Sequence, residues 1–325
     1  MREKRSLIAG APAADPAFAG DVGYYLSLTP RQLPSRYLYD GLGSALFEAI
    51  CHLPWYRITR AELGLLERWG ASMAAAAPPF TRLIELGPGS GAKIAAFIEA
   101  AGLEGRSFDV HLVDISPSAL EVASYALGRF EGVRVVRHQA TYETGLDAAV
   151  RAGGGPALAL FLGSNIGNFD PPGADAFLRG VRAALRRGDG FLIGADLVKP
   201  EEALRAAYDD PLGVTAAFNR NLLVRINREL GADFDISAFQ HRAIWNAAES
   251  RVEMHLVSTA TQHVRIPGAS LDLTFDEGET IWTESSYKYR PEQVIRMLER
   301  ARFRLLGQWI DEAEGFALTL VKANG

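Results

Sequence analysis

The sequence predicts a doubly wound, mostly parallel α/β sheet that is interrupted late in the chain by an inserted α+β segment. A glycine-rich turn over residues 87–91 joins a short apolar strand to a helical pattern, which is typical of a ligand-binding strand–turn–helix unit. Apolar strands then alternate with helical segments as far as Asp196, as expected for parallel strands covered on both faces. This alternation stops after Asp196 and resumes only at Pro291, which indicates the insertion.

The composition limits the class of protein and its partners. The chain has 325 residues, 48% of them hydrophobic, which is enough for one large core or two modest ones. A net charge of −5 with both signs interspersed gives no indication of nucleic acid or an anionic membrane as partner. The single cysteine, Cys51, excludes an intrachain disulfide and is typical of a reducing compartment, so we expect a cytoplasmic protein. No metal centre is expected, because the six histidines show no ligand spacing.

Residues 1–60 are predicted to form an N-terminal arm and an aromatic-rich cap. The arm, rich in Ala and Pro, is expected to be loose up to about Gly20. A short helix is predicted over residues 44–50. Thr59 and Glu62 have the spacing of a capping box, so the next helix is expected to begin with Thr59 as its cap.

The main domain is predicted to combine residues 61–198 with residues 287–325. Strands are predicted over 83–86, 110–113, 133–137, 157–162 and 191–196, helices over 92–101, 117–130, 146–151 and 175–186, and a closing helix and two strands over 291–300, 303–309 and 316–321. Ligands of such sheets bind beyond the carboxyl ends of the strands, so the site is expected at that edge.

Residues 199–286 are predicted to be an inserted substrate-binding domain. The segment from residue 201 to 230 has a helical pattern. Short alternating runs follow at 251–257, 264–266, 271–273 and 280–283, which predict an antiparallel sheet with one polar face.

The residues around the glycine turn indicate which cofactor it binds. Gly87 and Gly89, with Ala92, could satisfy a dinucleotide pattern, but Glu85 lies at the mouth of the strand. A carboxylate there would repel a pyrophosphate, whereas it would attract the cationic methionyl end of S-adenosylmethionine (SAM). The order of one acid and three alternating glycines resembles the first motif of class I SAM-dependent methyltransferases, and we expect Glu85, Gly87 and Gly89 to contact SAM.

A second acid supports the same interpretation. Asp114 ends the next predicted strand, about twenty residues after the turn, where a carboxylate can bind ribose hydroxyls. Asp114 and Ser116 could also simply cap the following helix, and the two roles are compatible.

Several stretches spread over most of the chain resemble the histidine N-alpha-methyltransferases of ergothioneine biosynthesis. They are residues 39–48, 53–62, 161–168, 207–210, 218–221, 253–256 and 283–286. The resemblance implies a methyltransferase core interrupted by a substrate domain, and SAM-dependent trimethylation of the α-amine of L-histidine to hercynine.

The resemblance also implies the site residues. It assigns SAM binding to Gly87, Lys93 and Asp114, with Thr141 and Tyr142 near the adenine. It assigns the substrate carboxylate to Tyr56, Asn168 and Tyr208, the imidazole to Glu284 and Ser286, further substrate contacts to Gly163 and Met254, and acceptance of the amine proton to Tyr39 as catalytic residue. These types suit the ligand, because amides and phenols donate to carboxylates and a carboxylate with a hydroxyl can satisfy both imidazole nitrogens.

Departures from the family pattern leave the substrate open. Thr141-Tyr142 stands where the family commonly has an acid–aromatic pair, Asn165 replaces a usual threonine, and Arg57-Ile58 replaces Tyr-Pro. A different amino acid or imidazole-bearing amine is therefore an alternative substrate. A SAM-binding protein without turnover is a second alternative, and a nicotinamide oxidoreductase, disfavoured by Glu85, is a third. We expect a small-molecule substrate and a monomer.

Overall fold

The computed structural model describes residues 15–324, and the chain divides into two compact units. The smaller unit takes the described part of Met1–Gly43 with Ala216–Arg242 and Met254–Glu284, and the larger unit takes Ser44–Thr215, Ala243–Glu253 and the described part of Ser285–Gly325. The predicted domains have other boundaries, at residues 60, 198 and 286, and this functional division stays a prediction.

The described residues form helices and strands along nearly their whole length. The α-helices are α1 (Pro16–Leu26), α2 (Gly41–Cys51), α3 (Ile58–Ala76), α4 (Ala92–Ala100), α5 (Pro117–Leu127), α6 (Tyr142–Arg151), α7 (Pro171–Ala184), α8 (Glu201–Tyr208), α9 (Val214–Leu230) and α10 (Pro291–Arg300). The strands are β1 (Arg31–Gln32), β2 (Arg82–Leu86), β3 (Phe108–Asp114), β4 (Val133–Gln139), β5 (Ala157–Phe161), β6 (Gly190–Asp196), β7 (Phe239–Asn246), β8 (Arg251–Ser258), β9 (Gln262–Ile266), β10 (Leu271–Phe275), β11 (Thr280–Tyr287), β12 (Phe303–Asp311) and β13 (Phe316–Ala323).

The larger unit contains a seven-stranded sheet in the order β12-β13-β6-β5-β2-β3-β4. Strands β4, β3, β2, β5 and β6 are parallel, and β13 runs antiparallel between β6 and β12. The order reverses at β2, which has β3 on one side and β5 on the other, so the crevice at its carboxyl end is the expected ligand site. The predicted doubly wound, mostly parallel sheet is confirmed.

Apolar burial on both faces explains why the central strands lie where they do. Every residue of β2, β5 and β6 is buried. On one face α3 packs on α4 and α4 on α5, and on the other α7 contacts both α6 and α10. Ile84, Phe161 and Phe191 belong to the core on this second face, and burying a side chain of this size contributes about 1.5–3 kcal/mol.

The smaller unit has its own aromatic core. The rings of Phe234, Phe239 and Phe275 pack against one another at centroid distances of 5.5–5.9 Å. Strands β9 and β10 form an antiparallel pair, and β1 pairs in parallel with β11, in a four-stranded order β1-β11-β8-β7. None of the helices within residues 15–324 is both long and apolar enough to cross a membrane.

Three local predictions are wrong, and one strand was missed. The arm is not loose up to Gly20, because α1 already begins at Pro16, where Asp15 Oδ1 accepts from Ala17 N–H; the rest of the arm, residues 1–14, lies outside the described residues. The predicted capping box does not form, since α3 begins at Ile58 and Glu62 is turned into the core. Strand β7 was not predicted, and β8 is buried on both faces instead of alternating as β9 and β10 do.

Candidate active site

The glycine turn lies between β2 and α4. Gly87, Gly89 and Gly91 have φ values of 71°, 53° and 77°, a region that favours glycine. A Cβ on Gly87 would lie 2.9 Å from the Tyr142 hydroxyl, and one on Gly91 would lie 2.9 Å from Ala123 Cα. By contrast, nothing lies within 4 Å of a Cβ built on Gly89, so this part of the backbone is open to a ligand.

Glu85, the acid before the turn, is wholly buried. Burial raises the pKa of its carboxyl group well above the ordinary range, and the nearby acids Glu62 and Asp114 add to the increase while Lys93 opposes it. Its Oε2 atom has no hydrogen-bond partner among residues 15–324. A buried carboxylate oxygen without a donor suits a cationic ligand, so this position fits the methionyl end of SAM.

Asp114 is held in place by the start of the helix that follows it. It is the last residue of β3, and its Oδ1 accepts from the Ser116 N–H at 2.8 Å. Ser116 in turn caps α5 by accepting from Ala119 N–H. Burial raises the pKa of Asp114, although these backbone donors oppose the increase. The carboxylate is thus held at the strand end, where a ribose would bind.

Tyr142, the first residue of α6, reaches the glycine turn with its hydroxyl, and Thr141 precedes it. Thr141 is the N-cap of α6 and accepts from Thr144 N–H. The half-buried Tyr142 ring packs edge-on against Phe161 and Phe177, and burial raises the pKa of its phenol. The hydroxyl is therefore a neutral donor beside Gly87.

Lys93 is paired with a carboxylate that the sequence did not identify as functional. Its Nζ lies 2.8 Å from Oε2 of Glu62, which is wholly buried on α3. Although burial lowers the pKa of Lys93, the Glu62 carboxylate raises it overall, so the ammonium is charged. Glu62 also accepts from the Gly163 N–H at 2.8–3.0 Å, which ties α3, α4 and the loop after β5 together.

The loop after β5 is fixed by contacts at each step. A Cβ on Gly163, at φ 80°, would lie 2.8 Å from Lys93 Nζ. Ser164 Oγ accepts from the Asp196 N–H, and the Ile166 carbonyl accepts from the hydroxyl of Tyr289. The half-buried Asn168 follows on this loop at the end of a short 3-10 turn, so its amide is presented by a rigid backbone.

Predicted substrate residues of the larger unit form a second cluster. The ring of Tyr56 packs edge-on against Tyr208 at 6.3 Å, and the Tyr208 hydroxyl donates to Ser286 Oγ at 2.8 Å. Lys288, which was not predicted, donates from Nζ to both hydroxyls at 2.8 and 2.9 Å, and it pairs with Asp196 Oδ2 at 2.9 Å. The structure thus brings Tyr56, Tyr208 and Ser286 together around a buried lysine.

In the smaller unit, Tyr39 packs edge-on against Phe218 at 5.5 Å. The next residue, Asp40, accepts from Asn221 Nδ2, Arg228 Nη2 and the Gly43 N–H, which fixes the backbone beside Tyr39. The side chains of Met254 and Glu284 are buried on β8 and β11.

Strand β11 carries both residues predicted for the imidazole. Glu284 and Ser286 are two positions apart, so they point to the same face of the strand. The roles of these and the other predicted site residues stay predictions.

Two residues, Glu62 and Lys288, were missed by sequence reasoning. Glu62 lies among the buried apolar positions Ala61, Leu65 and Leu66, so an acid on an apolar helix face was the available signal. Lys288 comes directly after β11, and no pattern in the sequence indicated that it is buried. Within residues 15–324 no group of three His, Cys, Asp or Glu side chains could hold a metal ion.

Three features together define a class I SAM-dependent methyltransferase. They are the antiparallel strand β13 between β6 and β12, the glycine turn preceded by a buried acid, and the acid at the end of β3. The model of a family described as histidine-specific, SAM-dependent methyltransferases matches residues 18–323. The chain belongs to this family, which confirms the resemblance and the SAM cofactor inferred from the sequence.

Named relatives agree with this membership. The chain is 42% identical over 312 residues to the histidine N-alpha-methyltransferase of Mycobacterium tuberculosis (strain CDC 1551 / Oshkosh), covering 96% of each chain. It is 40% identical over 314 residues to the protein of that name from Mycolicibacterium smegmatis, covering 95% of this chain and 96% of the relative. It is 29% identical to ergothioneine biosynthesis protein 1 of Neurospora crassa, where the match covers 84% of this chain and 34% of the fungal protein.

Proposed function

We propose that this protein transfers three methyl groups from SAM to the α-amine of L-histidine and so forms hercynine, the betaine of ergothioneine biosynthesis. The choice of histidine as substrate rests on strand β11, which bears the buried carboxylate of Glu284 and the buried hydroxyl of Ser286 on one face. The 40–42% identity to two proteins named histidine N-alpha-methyltransferase supports the same substrate.

SAM is held by residues of the larger unit in this proposal, and when bound it supplies an electrophilic methyl group. Gly87 and Gly89 present backbone to the methionyl part, and Glu85 attracts its cationic groups. Asp114 accepts from the ribose hydroxyls, and Thr141 and Tyr142 flank the adenine. Lys93 holds the edge of the site through Glu62 and Gly163.

The two ends of histidine require different chemistry. Tyr56, Asn168 and Tyr208 are proposed to hold the substrate carboxylate, with the backbone at Gly163 beside them. Tyr56 and Asn168 donate hydrogen bonds to it. Tyr208, whose hydroxyl hydrogen goes to Ser286 Oγ, packs edge-on against the Tyr56 ring and so positions this donor. Glu284 and Ser286 take the two imidazole nitrogens, and Met254 packs against the ring. An amino acid without a ring N–H offers no donor to the buried carboxylate of Glu284, and such mismatches are strongly discriminated.

Tyr39 is proposed as the catalytic residue. Methyl transfer needs a neutral amine whose lone pair is aligned with the methyl group, and alignment supplies most of the rate enhancement. Tyr39 releases its own phenolic proton to solvent and, as the phenolate, accepts the amine proton, directly or through water. The variant Tyr39→Phe, which lacks the hydroxyl group, is expected to lower the rate of every methylation step about 100-fold. An unchanged rate in single-turnover measurements would exclude this role.

The test of the function is a mass-spectrometric time course of L-histidine with the protein and SAM. We expect mono-, di- and trimethylated histidine in succession, with S-adenosylhomocysteine formed in equal amount to the methyl groups. Histidine recovered unmodified, from protein that binds SAM in calorimetry, would contradict the proposal.

A methyltransferase for another amino acid or imidazole-bearing amine is the second candidate, because Thr141-Tyr142, Asn165 and Arg57-Ile58 depart from the family pattern. Labelled SAM with a panel of amino acids separates the two. We further propose a cytoplasmic monomer, in keeping with the single cysteine, Cys51. Light scattering on the purified protein tests the monomer.

A further inference from the structure

Lys288 is a buried lysine whose side chain donates to two hydroxyl groups of the predicted substrate cluster and pairs with Asp196. Its side chain is wholly buried, and its Nζ reaches Asp196 Oδ2 at 2.9 Å, the Tyr208 hydroxyl at 2.8 Å and Ser286 Oγ at 2.9 Å. An ammonium group has three N–H donors, so these three contacts use all of them. Although burial lowers the pKa of Lys288, the Asp196 carboxylate raises it overall, so the group is an ammonium and can only donate.

The contacts of Lys288 fix the direction of the neighbouring hydroxyl groups. The oxygen of Tyr208 accepts from Lys288, and its hydrogen is donated to Ser286 Oγ at 2.8 Å. Ser286 Oγ therefore accepts twice, from Tyr208 and from Lys288, and a hydroxyl oxygen has two lone pairs. Neither bond uses the hydrogen of Ser286, so Ser286 can offer a further partner only a donor.

A ring nitrogen that contacts Ser286 must then carry a lone pair. The other nitrogen, facing the carboxylate of Glu284, must carry a hydrogen. Both conditions hold only for the neutral imidazole in one tautomer, since the imidazolium form has N–H on both nitrogens.

We infer that Lys288 is a positioning residue that makes Ser286 a pure hydrogen-bond donor, so that the site selects histidine with a neutral imidazole ring. This inference rests on the proposed function, which places the imidazole at Glu284 and Ser286. It extends that function to the protonation state of the substrate.

The charged and titratable groups around the cluster come from β6, α8, β8 and β11. Asp196 at the end of β6 pairs with Lys288 and with Lys199, and Tyr208 comes from α8. On β8, next to β11, Arg251 pairs with Glu253 and donates to the Tyr287 hydroxyl. Glu284 lies on β11 itself. Burial raises the pKa of Tyr208, so its phenol stays protonated from pH 5.5 to 7.5. His255 on β8 stacks on Trp282 of β11. Because His255 is present in the wild type and in every variant, a difference between their pH ratios reports on the substrate imidazole.

Calorimetric titration of L-histidine into the protein without SAM, at pH 7.5 and pH 5.5, tests the inference. With an imidazole pKa of about 6.5, the neutral fraction falls about tenfold between these pH values, so the Kd of the wild-type protein should rise about tenfold. In Lys288→Met, Ser286 regains a lone pair and accepts the imidazolium form. We expect the Kd of this variant at pH 7.5 to be about tenfold higher than that of the wild type. The ratio of its Kd at pH 5.5 to its Kd at pH 7.5 should fall below about threefold, because Ser286 is no longer forced to donate.

Lys199→Met is the matched control, because Lys199 also pairs with Asp196, at 2.6 Å, but donates its other bond to the Glu314 carbonyl. This variant should keep the tenfold ratio. If Lys288→Met fails to fold by circular dichroism, Ser286→Ala carries the test, since removal of the donor must also flatten the ratio.

Two results would overturn the inference: a Lys288→Met protein with wild-type affinity, or one with weaker affinity and an unchanged tenfold ratio, which would indicate a purely structural lysine. Wild-type protein that does not bind histidine would overturn the proposed function together with the inference. Histidine binding by the wild type with either result in the variant overturns the inference alone.

Discussion

The larger unit contains two lysine–carboxylate pairs with buried carboxylates, and the two pairs have different roles. Lys93 pairs with Glu62 beside the glycine turn, and Lys288 pairs with Asp196 beside Tyr208. In the first pair the carboxylate makes the additional bonds, to the backbone of Gly163, whereas in the second the lysine makes them, to two hydroxyl groups. The first pair therefore positions main chain, and the second determines which way side-chain hydrogens point.

The difference follows from what each ligand requires. At the edge of the proposed cofactor site, the loop after β5 needs a fixed backbone, which the Glu62 carboxylate provides by binding the Gly163 N–H. A polar side chain of the substrate needs donors and acceptors of defined direction, which an ammonium with three donors enforces. If this distinction is correct, the two sites respond differently to substitution.

The largest effect is expected from Glu62→Ala. It leaves the Lys93 ammonium without its carboxylate and the Gly163 N–H without an acceptor, and removing one partner of a buried pair costs about 3–5 kcal/mol. The free energy of unfolding, measured in urea, should fall by that amount. Glu67→Ala, on the exposed side of the same helix, should change it by less than about 0.5 kcal/mol. Equal effects of the two substitutions would show that Glu62 is not an anchor.

Gly87→Ala comes next. The positive φ of 71° and the Tyr142 hydroxyl 2.9 Å from the new Cβ should cost about 1–3 kcal/mol of stability, and SAM binding should weaken at least about tenfold. Calorimetry with SAM measures the affinity. Gly154→Ala is the control, because nothing lies within 4 Å of its Cβ and its φ is not in the left-handed region. Unchanged SAM affinity in Gly87→Ala would contradict the placement of the cofactor.

Replacing each lysine by methionine, one at a time, tests whether the two pairs serve different ligands. Lys93→Met should weaken SAM binding about tenfold and leave the Kd of histidine within about twofold, and Lys288→Met should do the reverse. Both affinities can be measured by calorimetry on the same preparations. Loss of both ligands in either variant would mean that the pairs are not specialised.

The smallest effect is expected from Glu85→Gln, and it depends on pH. Burial raises the folded-state pKa of Glu85 above the ordinary 4.5, so the ionised carboxylate costs stability. This cost is absent below the unfolded-state pKa and grows as the pH rises towards the folded-state pKa. The variant should thus match the wild type near pH 4 and be more stable at pH 7 in urea unfolding, while binding SAM less tightly. Greater wild-type stability at pH 7 would mean that Glu85 is not an uncompensated acid.

The sequence predicted the sheet well because its strands are short apolar runs between helical patterns, as in Leu83–Leu86 and Ala157–Leu162. It failed where local spacing and tertiary burial disagree. Thr59 and Glu62 match a capping box, yet Glu62 is drawn into the core by Gly163 and Lys93, contacts about 30 and 100 residues away that no local pattern contains. Strand β7 was missed because its polar residues break the apolar alternation.

Candidate site residues could be predicted where they belong to a sequence motif, but not where only contacts between distant elements bring them together. Gly87, Glu85 and Asp114 could be found from the glycine turn and its spacing. Lys288 could not, because its partners Asp196 and Tyr208 come from other elements and a lysine after a strand usually faces water.

The most direct test of the function is competition. The protein is incubated with SAM and an equimolar mixture of the twenty standard amino acids, and the products are identified by mass spectrometry. We predict that trimethylated histidine is the dominant product while the other nineteen amino acids are recovered unmethylated. Methylation of another amino acid in preference to histidine would contradict the assignment of Glu284 and Ser286 to the imidazole.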